Sequence, residues 1–315
     1  MVATRPDAVD DALARSVVYR FLSVGLQPPT GGELHKATSD PFTGAIAALR
    51  HLDRQAGGSL AAVAARLGAL PPPAIEAVSE AFVRLFGHTA RGLICACETE
   101  YGAHNTFHQP QELADLAGYY LAFGLRPATA SGIRVDHIAC ECEFMDFLNR
   151  KEAVLLAADE MGPAEGEERS GAEGSPRATS LAGCRGPRHS REERSGAEGS
   201  PRATSLAGCR GPRHSREETL DVTTRAARNF LRDHLARFGR AFATRLASED
   251  PDGYFGALGH VLLAFLNAEC TRLAIEAGPA DLVLRPEIAD DAPMVCGSAG
   301  SMACGRADDL IQIQR

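Results

Sequence analysis

Apolar residues recur every three or four positions along most of the chain, which is the period of an amphipathic α-helix. The first such stripe, which ends before Pro28 and Pro29, comprises Val9, Leu13, Val17, Phe21 and Val24. Similar patterns predict helices at about 42–54, 59–69, 71–86, 110–123, 136–158, 219–247 and 254–277. No stretch alternates between polar and apolar residues as a half-buried strand would, so the sequence predicts an all-α fold.

The predicted helices each carry large apolar side chains on one face, and these faces define the expected core. In the segment after Asp136 the inward residues are Ile138, Cys142, Met145 and either Leu148 or Leu156. The other expected core residues are Ile75, Val78, Phe82, Leu85, Phe86, Leu113, Leu116, Tyr120, Phe123, Phe230, Leu235, Phe238, Phe242, Val261, Phe265, Leu266 and Leu273. These faces predict a single helical-bundle domain.

One segment interrupts the helical pattern: residues 167–191 are repeated without a change at 192–216. Each 25-residue copy has no aromatic residue and only one large aliphatic residue, so it cannot bury enough apolar surface to offset its chain entropy. We therefore predict a disordered insert at 161–217. It divides the helical domain into residues 1–160 and 218–278, and a flexible tail is predicted at 279–315.

The charge of the chain changes when the repeats are set aside. The whole chain has a formal charge of -8, but each copy holds three Glu and five Arg, so the other 265 residues carry -12. This acidic balance argues against a general nucleic-acid binder, which needs a cationic face for phosphates. Acidic residues near the N-terminus do not resemble a secretory signal, and no apolar stretch reaches the ~20 residues of a membrane span. A soluble, cytoplasmic protein without stable membrane insertion is expected.

The sequence Asp136-His137 at the start of a predicted helix is the first candidate for chemistry. Asp136 stands where a carboxylate would cap the helix, and His137 would then pack in the first turn. His137 and Glu141 are four residues apart and share a helix face. The alternative is an acidic mouth that receives a cationic ligand, because carboxylates bind guanidinium groups through two hydrogen bonds.

Cysteines and histidines form the second candidate group, namely Cys95, Cys97, His104, His108, His137, Cys140 and Cys142. Their spacing differs from that of structural zinc sites, and residues 140 and 142 of a helix point about 200° apart. Buried cysteine used as a small apolar filler is more common. A small helical Cys/His metalloprotein or metal-dependent enzyme remains the alternative function. Without a catalytic motif or a phosphate loop, no enzyme activity, bound metal or cofactor is expected.

Three stretches resemble the TorD-like redox-enzyme maturation chaperones. They are CETEYGAHNTFHQPQELADLAGYYLAFGL at 97–125, RVDHIACECEFMDFLNRKEA at 134–153 and NFLRDHLARFGRAF at 229–242. Within this family the chain looks closest to the chaperones of type II dimethyl-sulfoxide-reductase-family molybdoenzymes. The resemblance covers about residues 10–160 and 218–277, which is everything except the insert and the tail.

The resemblance implies a helical bundle of the TorD-like type and a non-catalytic, cytoplasmic role. Such chaperones bind the twin-arginine signal peptide or the apo form of a molybdoenzyme catalytic subunit until its molybdopterin cofactor is inserted. The expected partner is therefore a type II catalytic subunit with a twin-arginine leader, and the chaperone itself is expected to be a monomer or homodimer.

The family's binding residues map onto Asp136, His137 and Glu141, and its Glu-Tyr element maps onto Glu100 and Tyr101. Because a twin-arginine peptide joins two guanidinium groups to an apolar stretch, Glu98 and Phe144 complete the expected client site. The chain departs from the family at Arg134-Val135, where a proline is common, at Cys142, where a leucine is usual, and at Phe238, where a tryptophan is usual.

Overall fold

The computed structural model describes residues 5–29, 40–55, 57–71, 73–87, 92–102, 109–126, 133–158 and 215–285. Its α-helices are α1 (Arg5–Gly25), α2 (Asp40–Leu52), α3 (Ser59–Gly68), α4 (Ile75–Phe86), α5 (Gln109–Ala122), α6 (Ile138–Ala158), α7 (Arg216–Phe230), α8 (Ala236–Glu249) and α9 (Tyr254–Leu273). These ranges contain no strand, which confirms the all-α fold. None of the helices within them is long and apolar enough to cross a membrane.

Two helix pairs form the centre of the bundle: α1 lies along α6, and α8 packs against α9. Polar side chains join the first pair as well as apolar ones. The Ser16 hydroxyl donates to Asp146 Oδ1 at 2.7 Å, and Arg15 Nε donates to Asn149 Oδ1 at 2.9 Å, with all four residues buried. Because buried polar groups are costly unless they are paired, these bonds favour one register of α1 on α6.

The predicted inward stripe of α1 is wrong at two positions. Leu13 and Val17 have 45% and 37% of their surface exposed, whereas Val18 and Leu22 are completely buried. The physical reason is that α1 packs against both α6 and α2, so its buried face is wide and includes polar residues such as Arg15. A stripe of apolar residues alone could not indicate this face, because polar partners on α6 determine it.

The predicted helix at 219–247 is continuous but contains one irregular turn. Between α7 and α8, residues Leu231–Leu235 form a turn of π-helix. This wider turn, which is often found at functional sites, leaves His234 buried in the protein interior.

The N-terminus of α7 lies at the end of the second repeat copy. Ser215 and Glu218 form a capping box, in which the Ser215 hydroxyl accepts from the Glu218 amide and the Glu218 carboxylate accepts from the Ser215 amide. The helix therefore begins at Arg216, inside the segment that the sequence assigns to the insert. Residues 159–214 lie outside the described part of the chain.

Ser215→Ala should lower the free energy of unfolding by about 1 kcal/mol, because the helix loses its cap. For a domain of this size the melting temperature should fall by about 2–4 °C, which calorimetry can measure. Ser190→Ala is the matched control, since Ser190 has the same neighbours in the first copy of the repeat. Equal losses from the two variants would contradict a specific role for the Ser215 cap.

Part of the predicted tail is packed onto the helical domain. The Gly278 amide donates to Ala236 O at 2.9 Å, and Leu284 forms an antiparallel bridge with Tyr101. Arg285 is buried and donates through Nη2 to both carboxylate oxygens of Glu112, at 3.0 and 2.9 Å. Residues at 284 and 285, inside the segment predicted as a flexible tail, therefore contact the helical domain, where Arg285 reaches a distant carboxylate. Residues 286–315 lie outside the described ranges.

Candidate functional site

Two distant segments meet where the candidate residues lie. An antiparallel bridge pairs Cys97 with His137, the Glu98 amide donates to Asp136 O at 2.9 Å, and the Ile138 amide donates to Ala96 O at 2.8 Å. Beside this bridge, Glu98–Glu100 form one turn of 3₁₀-helix. The pairing brings together four carboxyl groups, which we call the acidic cluster: Glu98, Glu100, Asp136 and Glu141.

Asp136 is completely buried and accepts hydrogen bonds at both of its carboxylate oxygens. Arg134 binds it through two contacts, from Nε to Oδ1 at 3.0 Å and from Nη2 to Oδ2 at 2.9 Å. Thr99 adds its amide and its hydroxyl to Oδ2, at 3.2 and 2.8 Å. Asp136 is therefore not the N-cap of α6.

His137 performs that capping role. Its Nδ1 accepts from the Ala139 amide at 3.1 Å, and α6 begins at the next residue, Ile138. The ring is half-buried, and removal from water lowers the pKa of His137 to about 4. The imidazole is therefore neutral at pH 7, which leaves Nδ1 free of a proton and able to accept.

Glu98 connects the acidic cluster to the π-turn. Its Oε2 lies 3.0 Å from His234 Nδ1, and its Oε1 lies 3.6 Å from Arg237 Nε. Glu98 and His234 are both buried, whereas Arg237 is exposed. The cluster thus has an ionic connection to the surface through Arg237, which also approaches Glu112 at 3.7 Å.

Glu141 is the exceptional member of the acidic cluster. It is completely buried, and neither of its carboxyl oxygens has a hydrogen-bond partner among the residues that the structure describes. Burial, followed by the nearby charges of Glu98 and Asp136, raises the pKa of Glu141 well above its ordinary value. Desolvation therefore favours the protonated, neutral form of Glu141.

The raised pKa of Glu141 predicts a pH dependence of stability. The folded protein keeps this proton at a pH where the unfolded chain has released it, so folding stability falls as the pH rises above about 4.5. The loss should be about 1.4 kcal/mol per pH unit for one proton. Glu141→Gln removes it, so the stability of this variant relative to wild type should rise from pH 5 to pH 8.

Denaturant unfolding at each pH measures this difference, and Glu143→Gln is the control because Glu143 is exposed on the same helix. The lowered pKa of His137 acts in the opposite direction, since stability from this group is lost as the pH falls from about 6.5 to about 4. That contribution is common to both proteins and cancels in the comparison. Parallel pH profiles for wild type and Glu141→Gln would contradict a buried, protonated Glu141.

The aromatic members of the predicted site belong to the core. Tyr101 donates its hydroxyl to Cys95 O at 2.7 Å and lies 5.3 Å, ring to ring, from Phe238. Phe144 is 2% exposed and contacts an aromatic cluster that includes Tyr120 and Phe230. These rings fix the acidic cluster in place and present no open apolar surface.

A groove of about 800 Å³ lies between α5 and the π-turn. Small side chains at 114, 118 and 122 lie along α5 on one side, next to Tyr119. His234 and Arg237, which both approach Glu98, lie on the other side together with Asp233. The groove therefore reaches the acidic cluster through two cationic or titratable side chains.

The sequence did not indicate several residues that complete the site. Thr99 and Arg134 bind Asp136, while His234 and Arg237 approach Glu98. One available signal was the Arg-Asp-His sequence at 232–234, which lies within a stretch that carries the family resemblance. Its histidine could have been considered as a partner for a carboxylate.

The cysteines are consistent with a packing role. Cys95, Cys97 and Cys142 are buried, and burial raises the pKa of Cys140 to about 12, which keeps that thiol protonated. Among the described residues, no group of three or more Cys, His, Asp and Glu side chains could hold a metal ion. His104 and His108 of the alternative metal-binding set lie outside the described ranges.

The candidate site lies in a part of the chain that is similar to a known protein family. Residues 49–170 match the family model described as nitrate reductase delta subunit. That family consists of molybdoenzyme maturation chaperones and is not catalytic. The match confirms the resemblance to TorD-like maturation chaperones over this part of the chain. No curated protein and no solved structure matches the chain.

Proposed function

We propose that the protein is a cytoplasmic, system-specific chaperone for a molybdopterin oxidoreductase. In this proposal it binds the twin-arginine signal peptide, the apo catalytic subunit or both, and assists cofactor insertion and assembly before export. The proposed client is a catalytic subunit of the type II dimethyl-sulfoxide-reductase family. The observation that carries the proposal is the family match at 49–170, because it contains every residue of the predicted client site.

The acidic cluster supports the choice of a guanidinium-bearing client. Glu100 and Asp136 already hold the guanidinium of Arg134 in the planar, multiply bonded geometry that carboxylates offer to arginine. The groove places Tyr119 and small side chains next to His234 and Arg237, which both approach Glu98. A peptide with arginines followed by an apolar stretch would find both kinds of contact there.

Calorimetry with a synthetic signal peptide tests the function. The peptide with an Arg-Arg pair should bind, and the same peptide with Lys-Lys should bind about tenfold more weakly, because lysine cannot make paired, planar hydrogen bonds. If neither the Arg-Arg peptide nor a purified apo-subunit binds, the proposed function is wrong.

A matched pair of variants tests the site. Asp136→Asn should weaken peptide binding, whereas Asp146→Asn should not, although both carboxylates are buried on or next to α6 and both contact an arginine. His137→Asn keeps a capping acceptor and tests whether the imidazole itself contributes. Binding by Asp136→Asn and His137→Asn that equals wild type would place the client elsewhere on the protein.

A further inference from the structure

The guanidinium of Arg134 fills the acidic cluster from within the chain. It donates from Nη1 to Glu100 Oε1 at 3.0 Å, from Nη2 to Thr99 Oγ1 at 2.8 Å and to Asp136 through the two contacts described above. These bonds satisfy one face of Asp136 and one oxygen of Glu100. An arriving arginine would need the same acceptors, so the two guanidinium groups cannot be bound there together.

Arg134 is accessible although its partners are not. Its side chain is 33% exposed, whereas that of Asp136 is 0% exposed and that of Glu100 is 10% exposed. Removal of Arg134 from the cluster would therefore leave the completely buried carboxylate of Asp136 without its cation. The free energy of an unpaired buried charge keeps Arg134 in place until another cation replaces it.

Other members of the cluster have acceptors in reserve. Both oxygens of Glu141 and Oε1 of Glu98 accept no hydrogen bond from the described residues, although both side chains are at most 1% exposed. Buried polar atoms normally have partners, so these oxygens are available to a donor that enters the cluster. A client whose contacts extend past the position of Arg134 would find these oxygens as further acceptors.

We propose that Arg134 is an internal competitor for the client's arginine, which must displace it to bind. This inference rests on the proposed function, because it assigns the regulation of the same site. Exchange of one guanidinium for another conserves the existing hydrogen bonds, so it provides little net free energy. A tethered group competes at a local concentration in the millimolar range, and this lowers the apparent affinity for the client.

The competition would make the site selective. An isolated arginine pair gains little from the exchange, whereas a client that also occupies the groove gains free energy from its remaining contacts. Loss of Arg134 should therefore increase the affinity for short Arg-Arg peptides more than it increases the affinity for the whole client subunit.

Arg134→Ala and Arg134→Lys test the proposal together. By calorimetry, Arg134→Ala should bind the Arg-Arg peptide about tenfold more tightly than wild type. Arg134→Lys keeps a cation that supports folding but makes fewer planar bonds, so its affinity should be intermediate. Arg150→Ala, which removes the exposed arginine beside Asp146, is the control and should bind as wild type does.

Thermal unfolding provides a readout that does not depend on the client. Methylguanidinium at millimolar concentration should raise the melting temperature of Arg134→Ala, and methylammonium at the same concentration should not. Neither compound should stabilise wild type or Arg150→Ala in this way. The measurement also covers the case in which Arg134→Ala folds poorly, because the added guanidinium replaces the missing group.

The outcomes separate this inference from the proposed function. If methylguanidinium fails to stabilise Arg134→Ala, or if the peptide binds wild type and Arg134→Ala equally, the competition by Arg134 is refuted. If methylguanidinium stabilises the variant but no peptide or subunit binds either protein, the result supports a guanidinium site and refutes the proposed chaperone function. Tighter peptide binding together with guanidinium rescue supports both.

Discussion

Asp136→Ala should lower the free energy of unfolding by about 3 kcal/mol, as measured by denaturant unfolding. The carboxylate is completely buried and accepts from Arg134 and from both the amide and the hydroxyl of Thr99. Its removal leaves these donors without their acceptor. The expected cost lies at the lower end of the range for broken buried ion pairs, because the exposed part of Arg134 can turn to water.

A double-mutant cycle provides the control for this prediction. Arg134→Ala should also be destabilising, because it leaves Asp136 charged, buried and without its cation. The double variant should be clearly more stable than the sum of the single losses predicts, since each single change already abolishes the pair. Additive losses would show that Asp136 and Arg134 stabilise the fold independently, contrary to the structure.

Phe230→Ala should lower the free energy of unfolding by about 3–5 kcal/mol, the range for truncation of a buried phenylalanine. Phe230 is completely buried at the end of α7, where its ring centre lies 4.8 Å from that of Phe144 and 5.1 Å from that of His234. Its removal would open a cavity beside the acidic cluster. The melting temperature should fall by at least about 6 °C.

Phe147→Ala is the matched control, because Phe147 is only partly buried at the edge of the same aromatic cluster. Its loss should cost less, since water can hydrate much of the remaining surface. Equal losses from the two variants would contradict the prediction that the buried ring of Phe230 contributes more to stability than the partly buried ring of Phe147.

The sequence predicted well those features that local patterns determine. Helix α6 follows the expected stripe, with Ile138, Cys142, Met145 and Leu148 all completely buried. Such predictions succeed because about twenty neighbouring residues are enough to show the spacing of apolar residues in a helix. The family resemblance implied that Glu100 and Asp136 belong to one site, and the chemistry of an arginine-bearing client added Glu98. The structure shows the bridge that brings these residues together.

Features that depend on a partner far along the chain could not be predicted. Asp136 resembled an N-cap until Arg134 and Thr99 were seen to bind it, and His137 performs the capping instead. The sequence around Arg285 does not indicate that this side chain is buried. Its partner Glu112 lies more than 170 residues away in sequence. In both cases a polar side chain binds a partner that is distant in sequence. The pattern of apolar residues gives no information about which partner a polar side chain binds.

The junction between α6 and α7 bears on how much a longer connection between these helices costs in free energy. Arg216 donates to the carbonyl oxygen of Ala158, so the two helix ends meet, and the intervening chain leaves and returns at one point. For a loop with fixed, neighbouring ends, the entropic cost of closure grows only with the logarithm of length, by about 0.6 kcal/mol per doubling. If the predicted disorder of the insert holds, a second 25-residue copy adds little free energy, and the fixed junction at Ala158 and Arg216 sets no length for the chain between them.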